Sequence, residues 1–92
     1  MYRVIVLYEQ EPDAAAYAEH AELCRQVPGS VFRHGKVFGT AFGEQRFQHY
    51  AEFEFPDLDS FKQVAGSAEF GAAGKDAAGM GIPFTVHFAE IE

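Results

Sequence analysis

Along Gln48 to Phe55, QHYAEFEF, polar and apolar residues alternate, with Ala51, Phe53 and Phe55 on one side and Tyr50, Glu52 and Glu54 on the other. A period of two sends successive side chains to opposite faces, so the segment predicts a strand with one buried face. Tyr2 to Glu9, YRVIVLYE, is β-branched and aromatic along its length and predicts a strand covered on both faces. Ser30 to Phe38 mixes polar and apolar residues as an edge strand does. Pro83 to Ile91 predicts a fourth strand, proline being tolerated at its start.

Between these strands the period lengthens. His20, Leu23, Cys24 and Val27 stand at i, i+3, i+4 and i+7, while Glu19, Glu22, Arg25 and Gln26 occupy the opposite side. That spacing predicts a helix from Asp13 to Val27, opened by Pro12-Asp13 and stopped by Pro28-Gly29. Pro56-Asp57 opens a second helical stretch with Leu58, Phe61 and Val64 on its stripe. Gly66-Ser67 interrupts it before Ala68 to Met80 continues with Phe70 and Ala73 inward. Gly39 to Arg46, GTAFGEQR, reads as a glycine-punctuated loop.

The order strand, helix, strand, strand, helix, strand predicts one α+β domain over residues 1–92. It is the ferredoxin-like βαββαβ arrangement: a four-stranded antiparallel sheet with both helical segments on one face. The other face is expected to carry Val, Ile, Leu, Tyr and Phe. Pairing of sheet on sheet in a homodimer is the simplest cover for such a patch.

Charge and composition then narrow the partners. Fourteen Asp and Glu against seven Lys and Arg give a formal charge of −7, which repels a phosphate backbone, so nucleic acid is not expected. The opening MYRVIVLYE has only about six apolar residues between charges, too few for a signal segment or a membrane span. The single cysteine, Cys24, has no partner for a disulfide, which points to a cytoplasmic protein. Ten Phe and four Tyr without Trp supply more aromatic surface than a small core requires, enough to line a pocket or an interface.

VIVLY near the start, H-x-x-L-C-R-Q-V-P-G from His20, YAEFEF-x-D-L from Tyr50, S-A-E-F from Ser67 and T-V-H-F-A-E from Thr85 together resemble the EthD family, over nearly the whole chain. That family lies within the dimeric α/β-barrel superfamily, which also holds cofactor-free monooxygenases, muconolactone isomerase and haem-degrading enzymes. The resemblance implies a dimeric α/β barrel with a working pocket between helices and sheet in each subunit. It also implies that His20, eight residues before Pro28-Gly29, matches the family's best-known histidine. The chain departs from the family in carrying Glu19 where Thr is common and Glu22 where Pro is common, and in a shorter segment before His20.

His20 is thus the candidate catalytic residue, a general acid or base aimed inward; the competing role is a histidine that hydrogen-bonds a strand carbonyl and fixes its helix. Tyr17 beside it, Phe42 at the tip of the 39–46 loop as part of an apolar lid, His49, Phe53 and Phe61 are the candidates for binding a small hydrophobic substrate. Cys24 reads as a packed small residue. His20, His34, His49 and His87 lie on four elements without a metal-ligand spacing, so neither a metal nor another cofactor is expected. Glu52 and Glu54 read as a polar interface facing Arg33, Lys36 or Arg3. Two functions serve the same cavity: a cofactor-independent monooxygenase, isomerase or dehydratase, and a non-catalytic binding or accessory protein. A structural dimer with a filled core is the third reading.

Overall fold

The computed structural model describes residues 1–92 and contains seven elements: β1 (Tyr2–Tyr8), α1 (Ala14–Arg25), β2 (Val31–Lys36), β3 (His49–Phe55), α2 (Leu58–Ala65), α3 (Ala68–Gly79) and β4 (Phe84–Glu90). The four strands form one antiparallel sheet in the order β2-β3-β1-β4, the βαββαβ topology predicted from the pattern. β2 is an edge strand, as its mixed composition indicates. No helix is long and apolar enough to cross a membrane.

Each helix starts where a side chain satisfies its free amides. Asp13 accepts from the Ala16 amide at 3.0 Å, Asp57 from that of Ser60 at 2.8 Å and Ser67 from that of Phe70 at 3.1 Å. The break at Gly66-Ser67 separates α2 from α3. α1 ends at Arg25, two residues before the predicted limit, yet Val27 stays buried because the turn folds it back into the core. Gly29 then reverses the chain at φ +70°, a left-handed conformation that a Cβ resists.

Register settles which face each strand residue occupies. Val4 pairs with Phe53 and Phe88, and Val6 with Ala51 and Val86, so the even residues of β1 lie with Ala51, Phe53 and Phe55 under the helices. The core forms there, from Val4, Val6, Tyr8, Tyr17, Ala21, Cys24, Val27, Phe53, Phe55 and Val64 among others. Glu52 and Glu54 lie on the opposite face, as the alternation requires.

That opposite face corrects one expectation. Every sheet phenylalanine, namely Phe32, Phe53, Phe55, Phe84 and Phe88, falls on the helix side, and the bare face carries Ile5, Leu7, Val31 and Tyr50 around a charged network. Arg33 Nη2 donates to both Glu52 and Glu54 at 2.7 Å, Arg3 Nη2 to Glu54 at 3.0 Å, and Tyr50 Oη to Glu52 at 2.6 Å. The predicted meeting of these carboxylates with Arg3 and Arg33 occurs within one chain, across β1, β3 and β2. Lys36 belongs to the other face. Since its back face is half-exposed, β1 is fully covered on the helix side alone.

Candidate active site

Three elements bring polar groups to one end of an otherwise apolar cavity. α1 places His20 and Cys24 four residues apart on its buried stripe, β1 contributes Tyr8, and α3 contributes Asp76. α3 can approach α1 closely because Ala73, Gly74 and Ala77 are small. The cavity of about 120 Å³ is walled by Val4, Val6, Phe53, Phe70 and Phe84, with His20, Tyr8 and Cys24 as its polar corner.

His20 is 3% exposed. Its Nδ1 lies 2.9 Å from Asp76 Oδ2, and an ionised carboxylate only accepts, so Nδ1 carries the proton. In neutral His20, Nε2 is then a lone pair. Tyr8 Oη and Cys24 Sγ each stand 3.4 Å from it, long for a hydroxyl hydrogen bond. Burial, with the neighbouring Cys24 second, pushes Tyr8 up to about 12, and burial, with Asp76 second, pushes Cys24 up to about 12. Both therefore stay protonated near neutrality and act as weak donors toward Nε2. A nucleophilic thiolate is not on offer here.

The other predicted site residues divide. Phe53 lines this cavity. Tyr17 stacks edgewise on His20, with ring centroids 5.3 Å apart, but its hydroxyl is buried without a hydrogen-bond partner. His49 lies beyond Tyr17, in a separate cleft. Phe61 packs between Phe55 and Phe88, at 5.7 and 5.1 Å, and lines a groove at the far end of the sheet. Phe42 is 95% exposed and lines none of these cavities, so the expected lid does not close over His20. Its loop joins two strands at the β2 side of the sheet, whereas the cavity sits over β1 and β4.

Asp76, Tyr8, Phe70 and Phe84 were not legible as site residues. The available signal for Asp76 was its place in AEFGAAGKDAAG, one residue before Ala77 on the inward stripe of a helix rich in Ala and Gly.

No protein-family model matches the chain, and no curated protein matches it significantly. Solved structures do. An EthD family protein of Bacillus halodurans C-125 is 31% identical, with all of this chain and 99% of that one covered at a TM-score of 0.80. A dimeric ferredoxin-like protein of unknown function from Jannaschia sp. CCS1 is 19% identical, with 98% of each chain covered and a TM-score of 0.75. A hydroxynitrile lyase of Passiflora edulis is 18% identical, covering 99% of this chain and 93% of that one at a TM-score of 0.74. The last two likenesses concern the fold alone.

Proposed function

The chain belongs to the EthD family, and from that premise we propose that it is a cofactor-independent enzyme in which His20 removes a proton from a small hydrophobic compound. One observation carries the reading: His20 lines an apolar cavity with its Nε2 met only by the long 3.4 Å contacts of Tyr8 and Cys24, while Asp76 holds the proton on Nδ1. An imidazole oriented by a carboxylate is the arrangement a general base needs. Tyr8 Oη and Cys24 Sγ stand beside the same nitrogen and can donate to an oxygen on which charge develops as the proton leaves. The proton can pass on through Asp76, whose side chain is 42% exposed.

The cavity limits the substrate. A dry apolar cavity of about 150 Å³ takes up benzene, so about 120 Å³ suits one ring or a short aliphatic segment. Proton abstraction next to a carbonyl on such a compound is the step common to isomerisation, dehydration and cofactor-free oxygenation. The hydroxynitrile lyase shows that this fold hosts an enzyme acting on a small molecule. The lone cysteine favours the cytoplasm as its place of action.

We further infer a homodimer, joined through the bare sheet face; the ferredoxin-like protein of Jannaschia sp. CCS1 is dimeric. Ile5, Leu7 and Val31 would meet their counterparts there. Light scattering should return twice the 10.2 kDa chain mass, and a stable monomer at tens of micromolar would refute it.

Proton abstraction is testable with acetophenone in deuterium oxide. The wild-type protein should speed exchange of the methyl protons seen by NMR, and His20→Gln should lose that acceleration by about 10²- to 10⁴-fold, the range of general-base catalysis. Ligand line broadening should persist in the variant. Broadening without exchange in the wild type identifies a binding protein and overturns the enzyme.

A further inference from the structure

On the far side of Tyr17 from His20 lies a second, larger cleft of about 430 Å³, bounded by α1, the β1–α1 connection and the helix-facing side of β2 and β3. The proton abstraction proposed above does not use it. His34 pairs with Ala51 and Lys36 with His49, so His34 and His49 are diagonal neighbours on one sheet face. Far apart in sequence pattern, the two imidazoles meet: His34 Nδ1 is 3.2 Å from His49 Nε2, and His49 Nδ1 is 3.1 Å from Glu11 Oε1.

These contacts fix where the protons are. The Glu11 carboxylate only accepts, so His49 carries its proton on Nδ1. Neutral His49 then offers Nε2 as an acceptor, and His34 must fill it from Nδ1–H. That leaves Nε2 of His34 as a lone pair on an exposed side chain. The result is a carboxylate–imidazole–imidazole chain ending in a free base at the mouth of a cleft. Glu11 meets the far nitrogen of His49, and no three His, Cys, Asp or Glu groups are arranged to hold a metal ion.

The charges around His34 fit that use. Burial first, then His49, Arg25 and His20, holds its pKa below the ordinary histidine value, so near neutrality the ring is unprotonated and Nε2 is open as an acceptor, while the imidazolium needs the developing anion beside it. Arg25 lines the cleft as well, half-exposed and paired with Glu22 at 2.6 Å. The ring of Tyr17 forms an aromatic wall, its centroid 4.8 Å from that of His34 and 4.6 Å from that of His49. Pro12, Ala14, Ala18 and Ala21 add apolar surface, and Glu11 and Glu22 bring carboxylates to the same cleft.

We propose that this cleft is a second acid–base site, which takes a small planar phenol or enol: its hydroxyl donates to His34 Nε2, its ring lies against Tyr17, and Arg25 balances the anion formed. In the transfer the ligand O–H bond breaks and the N–H bond forms at His34 Nε2. The Nδ1 proton of His34 moves to His49 Nε2, and that of His49 moves onto Glu11. No carbon bond changes and no electron is exchanged, so no co-reactant is required.

The probe is 4-nitrophenol, whose neutral and anionic forms absorb differently. Below its own ionisation pH, wild-type protein should raise the anion band as it is titrated in, and His34→Ala should weaken binding at least tenfold and abolish the band. Glu11→Gln should shrink the band while leaving affinity within a few-fold. 4-Nitroanisole, which keeps the ring but has no hydroxyl, should bind at least tenfold more weakly, because the site is left with an unpaired acceptor. His20→Gln, which alters the apolar cavity and removes one of the charges that lower the His34 pKa, should leave binding within a few-fold. His34 is exposed, so its variant should keep the wild-type circular dichroism. Equal binding by His34→Ala overturns the site, and loss of binding in His20→Gln places the phenol in the apolar cavity and overturns it too.

Discussion

Tyr17 combines a ring in a crowded aromatic cluster with a hydroxyl that is buried and unpartnered. Its ring lies 4.6 to 5.8 Å, centroid to centroid, from those of His49, His34, His20 and Tyr8. Burial first, then the neighbouring Tyr8, pushes its pKa up, so the hydroxyl is neutral near pH 7. Tyr17→Phe keeps the ring and removes the orphan oxygen. A buried polar group without a partner costs about 1–3 kcal/mol, and the variant should recover roughly 1 kcal/mol of it after small losses in packing. For a domain of this length that corresponds to about 4–8 °C in Tm. Tyr17→Ala should lose about 3–5 kcal/mol, because it empties the space the ring fills. Thermal unfolding by circular dichroism at one fixed protein concentration reads both. A Phe variant that melts more than about 4 °C below wild type would show the hydroxyl to be hydrogen-bonded and the reasoning wrong.

Cys24 is 2% exposed, with burial holding its thiol up to about 12, so Ellman's reagent at pH 8 should react at the rate of unfolding; fast modification of native protein would contradict the packed site. Glu52 should make the protein acid-labile. Burial raises its pKa, but the hydrogen bonds from Tyr50 and Arg33 and the charges of Arg3 and Arg33 outweigh it and leave the pKa lowered. A depressed carboxylate contributes stability above its unfolded pKa and loses it as pH falls through the folded value. Glu52→Gln should therefore cost about 1–2 kcal/mol at pH 7, between the values for exposed and buried ion pairs, and the gap to wild type in urea unfolding should close below about pH 4. A gap that does not narrow as the pH falls below about 4 would assign the loss to packing rather than charge.

What the sequence by itself determined about this protein is local. The period of two along Gln48 to Phe55 placed Phe53 and Phe55 under the helices and Glu52 and Glu54 outside. The i, i+3, i+4, i+7 spacing turned His20 and Cys24 inward, and Gly66-Ser67 divided the second helical stretch. These follow from the geometry of one element, in which period alone decides which side is apolar. Partnerships between elements were left to the tertiary structure. Asp76 lies 56 residues from His20, and it meets Nδ1 because small residues let α3 settle against α1. His34 and His49 become neighbours through the β2–β3 register, which no spacing in the chain encodes. The same packing left Phe42 in solvent and joined Arg33 to Glu52 and Glu54 within one chain, among Ile5, Leu7 and Val31 on the bare face. A residue's own pattern says whether it faces inward; which group it meets there depends on how separate elements are held against one another, and that is a property of the whole fold.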